Sequence, residues 1–501
     1  MKSAFFLAFL LILFFVLYVL RGGAMLDPDF GWHIQAGNHI LKYGISSIDP
    51  FSYSMPQYPF IDHEWLTNLI WANLLPVVGY QALVYFYALI CIAAIMLQII
   101  FTEKKWVFLP VFLIGGTLLD FVGVRTQVID WLFLSVLLII VREQALWEKW
   151  RFFLPLLFLL WANVHGGFGI GLGVLGVVLV VKGIETGEEV RKNLFILCLC
   201  ILITLINPFG IRLWWEFWMQ LSDTQLRLSI MEWYPAIYFP NIAFWVYWTV
   251  SVFLVVRYRK KYSATELVLY CFLLVQALLS IRNIPLWLIA SFVMTAKGLI
   301  FLKREASRYK YGSDRFRVAY IFFSFIAIVL FSPQLGGFFY GLYFTKDSAG
   351  FYPQNAITYL HKNLPHQQIF SSYDWGGYLI WQLPEKKVFI DGRMPSWRWQ
   401  ANIPGESNYA FDEYKKVLTG KIPFSRFVRK YHITTLLVAK SSLQPPEMKL
   451  FGIPVSKNSP LRFLFYSVQS FYLVAKEAKK MGWHEVYNDN TAVIFQAPGQ
   501  D

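Results

Sequence analysis

Residues 4–33 read AFFLAFLLILFFVLYVLRGGAMLDPDFGWH, and this stretch decides how the rest of the chain is to be read. Ala4 to Leu20 is an uncharged apolar run, close to the roughly 20 residues that cross a bilayer core. Lys2 before it and Gly22-Gly23-Ala24 after it give the layout of a secretory signal peptide. The run outlasts the roughly 7–15 apolar residues of a signal-peptide core, so it reads as a membrane anchor. Polar and aromatic residues follow at once: Asp27, Asp29, Trp32 and His33.

Working outward, apolar runs recur at 80–102, 106–120, 127–141, 152–162, 167–184, 193–206, 240–257, 264–281, 284–302 and 317–335. The chain therefore reads as a multi-pass α-helical membrane protein of about 11 spans. The segment 65–78 either extends the second span or lies against it. Of the 501 residues, 57% are hydrophobic and 15% charged, against about half and about a quarter in soluble globular chains. That composition excludes a disordered, collagenous or disulfide-scaffold protein. Cys91, Cys198, Cys200 and Cys271 all fall inside apolar runs and read as small packing residues.

The net charge of +14 would suit nucleic acid, but its distribution excludes that partner. With the N-terminus inside, the inner loops hold 20 basic residues and the outer loops 6 (Arg21, Lys42, Arg125, Arg212, Arg227 and Arg282). This is a topology signal. It predicts a cell (inner or plasma) membrane protein with a cytoplasmic N-terminus and, after an odd number of spans, an extracytoplasmic C-terminal region.

Two domains are expected. Residues 1–335 form the transmembrane domain, with a long first outer loop at 21–79. Residues 336–501 form a soluble α/β domain, because charge rises there and apolar runs shorten to strand length. Strands are expected at Gln368–Ser371, Val388–Asp391, Thr435–Val438, Glu485–Tyr487 and Ala492–Phe495. Helices are expected at Gln354–Lys362, Tyr409–Leu418 and Leu464–Lys480.

Polar residues gather on the outer side. The first outer loop carries Asp27, Asp29, His33, Asp62, His63 and Glu64, and is net acidic in a basic protein. Carboxylates near a membrane surface can act as general bases or ligate a divalent cation. Asp49-Pro50 reads as a turn. Later outer connections hold Arg125, Asn163, His165, Glu232 and Arg282. Arg125 could also pair with Asp120 or Asp130, and His165 could be a tight-turn histidine. The inner loops are ordinary Lys/Arg/Glu runs. Ionisable groups at a membrane edge face a cavity, a partner or a pathway. Arginines there suit a phosphate at headgroup level, and of the outer tryptophans Trp32, Trp65, Trp214, Trp215 and Trp233 some could stack on sugar rings. In the C-terminal domain, Asp374-Trp375-Gly376-Gly377 and Asp391-Gly392-Arg393 follow expected strands, where two loops can share one crevice.

The string Asp27-Pro-Asp-Phe-Gly-Trp-His33, continued by Asp62-His-Glu-Trp-Leu66, resembles the first outer loop of the GT-C glycosyltransferases. Trp161-Ala-Asn-Val-His-Gly-Gly167, Asn207-Pro-Phe-Gly210, Glu232-Trp233, Arg282-Asn-Ile-Pro285, Gly376-Gly-Tyr-Leu379 and Phe389-Ile-Asp-Gly-Arg393 extend the resemblance, more closely to a largely uncharacterised bacterial branch. One departure is Arg125-Thr-Gln127, where that branch would have Arg-Pro-Gln. The resemblance implies transfer of a sugar from polyprenyl-phosphate or -diphosphate to an extracytoplasmic acceptor. It puts the catalytic base or metal ligand on Asp29 or Asp27, with Asp62 and Glu64 as further candidates.

The expected roles follow. Arg125, Arg282 and His165 bind the donor phosphate. His33, Trp32, His63, Asn163 and Glu232 line the cavity. Asp374, Trp375, Asp391 and Arg393 bind a ligand in the C-terminal domain. A divalent cation (Mg or Mn) is the one cofactor the acids could hold, and the acceptor is a glycan, lipid or protein. Two other readings stand beside this one. A lipid-linked glycan ligase or polymerase would rely on Arg and His, and an envelope-polymer transporter or assembly scaffold would carry no chemistry. Transporters place polar residues near the midplane on broken helices, whereas here they gather at one face.

Overall fold

The computed structural model describes all residues except 1, 104–105, 187–189, 224–225, 227–228, 345–349, 364–366, 402, 446–447, 451–452, 455–465, 468–469 and 500–501. Lys104, Lys105 and Arg227 of the charge count, and Leu464 of an expected helix, lie outside the described residues. The chain divides into two compact units. The first comprises Met1–Leu26, His63–Thr67 and Leu74–Phe339; the second comprises Asp27–Asp62, Asn68–Asn73 and Tyr340–Asp501.

The first unit is helical. Its principal helices are Lys2–Ala24, Trp65–Ile99, Phe108–Leu118, Val128–Arg142, Leu154–Val164, Phe168–Thr186, Val190–Ile203, Arg212–Ser222, Ile242–Arg257, Ala264–Leu279, Ile284–Ala306 and Gly312–Phe344. Every apolar run read from the sequence lies largely on one of them. Among the described residues, four helices are long and apolar enough to cross a membrane: Phe5–Ala24, Trp65–Ile99, Ile281–Ala306 and Gly312–Phe339. Trp65–Ile99 breaks at Gly79, whose φ of 74° is a left-handed value suited to glycine. The segment 65–78 is thus a helix of its own before the apolar run at 80.

Local chemistry sets the helix ends. Ser263 and Glu266 form a reciprocal capping box at the start of Ala264–Leu279. Asn241 accepts from the Phe244 amide at the start of Ile242–Arg257. Pro285 opens Ile284–Ala306, where its missing N–H leaves no bond unmade. Inside, Trp147, Trp161 and Trp287 are fully buried. The Tyr247 hydroxyl lies 2.9 Å from Ser291 and 3.1 Å from Thr295, so these buried hydroxyls satisfy one another away from water.

The second unit is α/β. Its main sheet contains β1 (Ile369–Ser371), β2 (Thr435–Ala439), β6 (His484–Asn488) and β7 (Ala492–Gln496) in the order β1-β2-β7-β6. β1 pairs with β2 in parallel, and the other neighbours are antiparallel. A smaller sheet joins β3 (Met448–Leu450), β4 (Ile453–Pro454) and β5 (Tyr466–Ser467). Helices Gln354–Asn363, Ala410–Leu418, Phe424–Tyr431 and Tyr472–Lys480 complete it, with Phe30–Tyr43 from the first loop.

Two local expectations need correction. Val388–Asp391 is not a strand: Val388 makes one isolated bridge to Ser52, and the chain then turns at Asp391. The helix expected from Leu464 begins only at Tyr472, where the Ser470 hydroxyl accepts from the Tyr472 amide and fixes the start. β5 occupies part of the remainder.

Candidate functional site

In the first unit the site is built on the segment Trp161–Gly167. Leu154–Val164 ends at His165, whose extended backbone (φ −161°) turns its ring off the helix. Asp130, one turn into Val128–Arg142, stands behind that ring. His165 Nδ1 lies 2.7 Å from Asp130 Oδ2, and the Trp161 indole donates to Asp130 Oδ1 at 2.6 Å. Gly167 lacks a Cβ because one would overlap the Asp130 carboxylate. The Asp130 carboxylate would accept a proton carried on Nδ1, a nitrogen that the Gly167 amide also faces at 3.1 Å. Nε2 lies 3.1 Å from Arg282 Nη2. The chain Asp130–His165–Arg282 therefore runs from a buried carboxylate to a cation.

Around this chain, Glu64 Oε1 lies 3.3 Å from His165 Nε2 and accepts from the Thr126 hydroxyl at 2.6 Å. Asn163 accepts from the Trp65 indole at 2.9 Å. Arg125 pairs with Glu232, and the Arg282 guanidinium lies over the Trp233 ring, 5.3 Å from its centre. Burial alone would raise the Glu232 carboxyl, but Arg125 and Arg282 outweigh it and hold its pKa below the ordinary value.

A cavity of about 100 Å³ opens here, lined by His63, Asp130, His165, Glu216, Trp233 and Arg282 among others. Glu216 was not singled out in the sequence. It sits on Arg212–Ser222 among tryptophans and phenylalanines, buried and bonded to Gln220 at 3.1 Å. Burial raises its pKa. Its one sequence signal is a lone acid, with Gln220 four residues on, in an otherwise aromatic helix.

The second unit gathers the other candidates. The Asp29 amide donates to Asp27 Oδ1 at 2.9 Å, a local turn that places Phe30–Tyr43. Cβ atoms at Gly392 and Gly377 would overlap Asp29 and the Pro28 carbonyl respectively. The Asp-Pro-Asp turn is thus packed on the Gly-Gly-Tyr-Leu and Asp-Gly-Arg loops. His33 Nδ1 lies 2.6 Å from Asn68 Oδ1, and Asn68 donates to both Asp62 oxygens at 3.0 and 2.8 Å.

Arg393 is buried between Asp391 and Asp49, at 2.7 and 2.8 Å. Trp32, Phe51, Phe60 and Trp397 surround its guanidinium. Burial would lower the Arg393 pKa, but the two carboxylates raise it instead. The Trp375 indole donates to the Phe351 carbonyl, and Asp374 beside it is exposed.

The structure thus brings Glu64, Arg125, Asn163, His165, Glu232 and Arg282 together with His63 in the first unit. Asp27, Asp29, Trp32, His33, Asp62, Asp374, Trp375, Asp391 and Arg393 belong to the second. Among the described residues, no group of three or more His, Cys, Asp or Glu side chains is placed to hold a metal ion. Asp62 is engaged by Asn68, and Asp49 and Asp391 by Arg393.

No family model matches the chain, and no curated protein sequence matches it. Solved structures do. The Archaeoglobus fulgidus oligosaccharyltransferase, tethered to an acceptor peptide containing the NVT sequon, superposes with a TM-score of 0.60 at 11% identity, covering 97% of this chain and 79% of that one. ArnT from Cupriavidus metallidurans, bound to undecaprenyl phosphate, superposes with a TM-score of 0.52 at 11% identity, covering 99% of this chain and 98% of that one. The chain has a GT-C-type fold. Another structure of the same oligosaccharyltransferase, in complex with Zn and sulfate, matches with a TM-score of 0.56 at 11% identity over 92% and 73% of the two chains. The GT-C-type fold here joins a multi-pass helical membrane unit to a small unit built on a sheet, in keeping with the fold class read from the sequence.

Proposed function

We propose that the chain is a membrane glycosyltransferase that moves a sugar from a polyprenyl-phosphate or -diphosphate donor to an acceptor hydroxyl. The observation that carries this reading is Arg282, held at one nitrogen by the Asp130-oriented His165 in a cavity with aromatic walls. The GT-C-type fold, shared with a protein bound to undecaprenyl phosphate, supports it.

The acceptor oxygen attacks the anomeric carbon, and the bond from that carbon to the phosphate oxygen breaks with its electron pair on the phosphate. The Arg282 guanidinium, in contact with His165, stabilises that charge as it develops, and Arg125 adds to the field. The lipid phosphate is already a good leaving group, so no strong general acid is required. The acceptor proton is assigned to Asp29 or Asp27, a role supported by the resemblance of the Asp-Pro-Asp motif. Residues 336–501 are assigned to presenting the acceptor, with Asp374 as their candidate residue; Trp375, Asp391 and Arg393, expected there from the sequence, are buried and serve the unit's own packing. The basic loops support a cytoplasmic N-terminus and an extracytoplasmic reaction.

A glycan ligase is the second reading, favoured by the density of His and Arg around His165. The test is transfer by proteoliposomes carrying Asp29→Ala, Asp27→Ala or Arg282→Ala. Loss in an aspartate variant and in Arg282→Ala supports the transferase. Full activity in both aspartate variants, with loss only in Arg282→Ala, supports the ligase. Undiminished transfer by a stably inserted chain lacking residues 340–501 contradicts the role given to the second unit.

A further inference from the structure

The helices that carry Asp130 and Phe168 at the candidate site carry Arg142 and Lys182 near their other ends. At a rise of 1.5 Å per residue these lie about 18 and 21 Å further along. There the first unit encloses a second, larger cavity of about 720 Å³, which shares no lining residue with the first. Its wall is mixed in charge: Arg142, Lys182 and Lys297 against Glu143, Glu148 and Glu266.

Part of that charge is already matched. Lys297 is bonded to Glu266 at 2.7 Å, and Arg142 donates to Gln98 and to the Ala290 carbonyl. Lys182 lies over the buried Trp147 ring, 5.4 Å from its centre. Asn193, only 7% exposed, lines the same cavity, and among the described residues its buried Oδ1 has no hydrogen-bond partner. A buried acceptor left unpaired is costly, so the position calls for a donor from outside the chain.

Place narrows the ligand. Arg142 closes an apolar helix, Lys182 lies in the last turns of another, and Glu266 lies in the first turn of a third. Ends of apolar helices are where phospholipid headgroups lie in a bilayer.

We propose that this cavity binds the headgroup of a zwitterionic amino-phospholipid, with its ammonium donating to Asn193 Oδ1 and its phosphate facing Lys182 and Lys297. Glu143 and Glu148 add to the attraction for the ammonium. A primary ammonium can make the Asn193 bond; the trimethylammonium of a choline headgroup has no N–H and cannot. The inference is independent of the transfer chemistry.

The full-length protein, stripped of lipid in detergent, is titrated with phosphatidylethanolamine or with phosphatidylcholine of the same acyl chains. Bound lipid is read by native mass spectrometry. The ethanolamine lipid should bind about tenfold more tightly, the worth of one charge-assisted hydrogen bond. Asn193→Leu should abolish that ratio, whereas Lys182→Gln should weaken both lipids alike. Equal binding of the two lipids by the wild type overturns the proposal, whether or not Asn193→Leu folds. So does an Asn193→Leu protein that keeps the preference. Soluble phosphoethanolamine binding as tightly as the lipid would overturn the assignment to a lipid.

Discussion

Gly167 and Asp130 are packed so closely that a Cβ on the glycine would occupy the space of the carboxylate. The carboxylate cannot step aside, because the Trp161 indole and His165 Nδ1 hold one oxygen each. Gly167→Ala should therefore destabilise the protein by about 1–3 kcal/mol through overpacking. It should also turn His165 away from Arg282 and lower transfer. A melting curve in detergent and a transfer assay on the same preparation check both effects.

Arg393 predicts a larger effect on stability. Its side chain and those of Asp49 and Asp391 are almost wholly buried, at 3%, 0% and 0% exposure. Arg393→Met leaves two carboxylates without their cation, and breaking a buried pair in this way costs about 3–5 kcal/mol. Arg393→Lys should rescue only part of this, since one ammonium cannot reproduce the fork that meets both acids. Chemical denaturation of the full chain, followed by tryptophan fluorescence, measures the two variants.

Glu216 predicts a pH dependence. Burial raises its folded pKa, so the fold favours the protonated acid. Its contribution to stability is fully present below the ordinary glutamate range and is lost as pH rises through the raised folded value. Glu216→Gln removes the penalty on the charged form. The melting temperature of the variant should exceed that of the wild type by more at about pH 8 than at about pH 5. An equal difference at both values contradicts a carboxyl raised by burial.

Much of the helical unit is legible in the sequence because apolar runs mark its helices, four of which, among the described residues, are long and apolar enough to cross a membrane. The GT-C resemblance rested on short polar strings, and the superpositions support the fold it implied. The local misreadings have a common cause. Val388–Asp391 looks like a strand, yet its one bridge partner is Ser52, hundreds of residues earlier, a relationship no local pattern encodes. Leu464–Lys480 has helical spacing, but the Ser470 bond to the Tyr472 amide sets a later start. The pairing of Asp130 with His165 is likewise tertiary: the motif containing His165 is visible, and the acid that orients it is not. Glu216 and Asn193 escaped notice because a polar residue on a largely apolar helix becomes informative only once the cavity it lines is known.

The role proposed for Arg282, held by His165, is to stabilise charge on a departing lipid phosphate. Its most direct test is release of polyprenyl phosphate from a panel of radiolabelled polyprenyl-phosphate sugars, by wild type and Arg282→Ala in proteoliposomes. The wild type should show acceptor-dependent release with at least one donor. Release should fall by about 10²–10³-fold in Arg282→Ala, the usual effect of removing one donor that stabilises a developing charge. Release by Arg282→Ala at the wild-type rate would contradict that role.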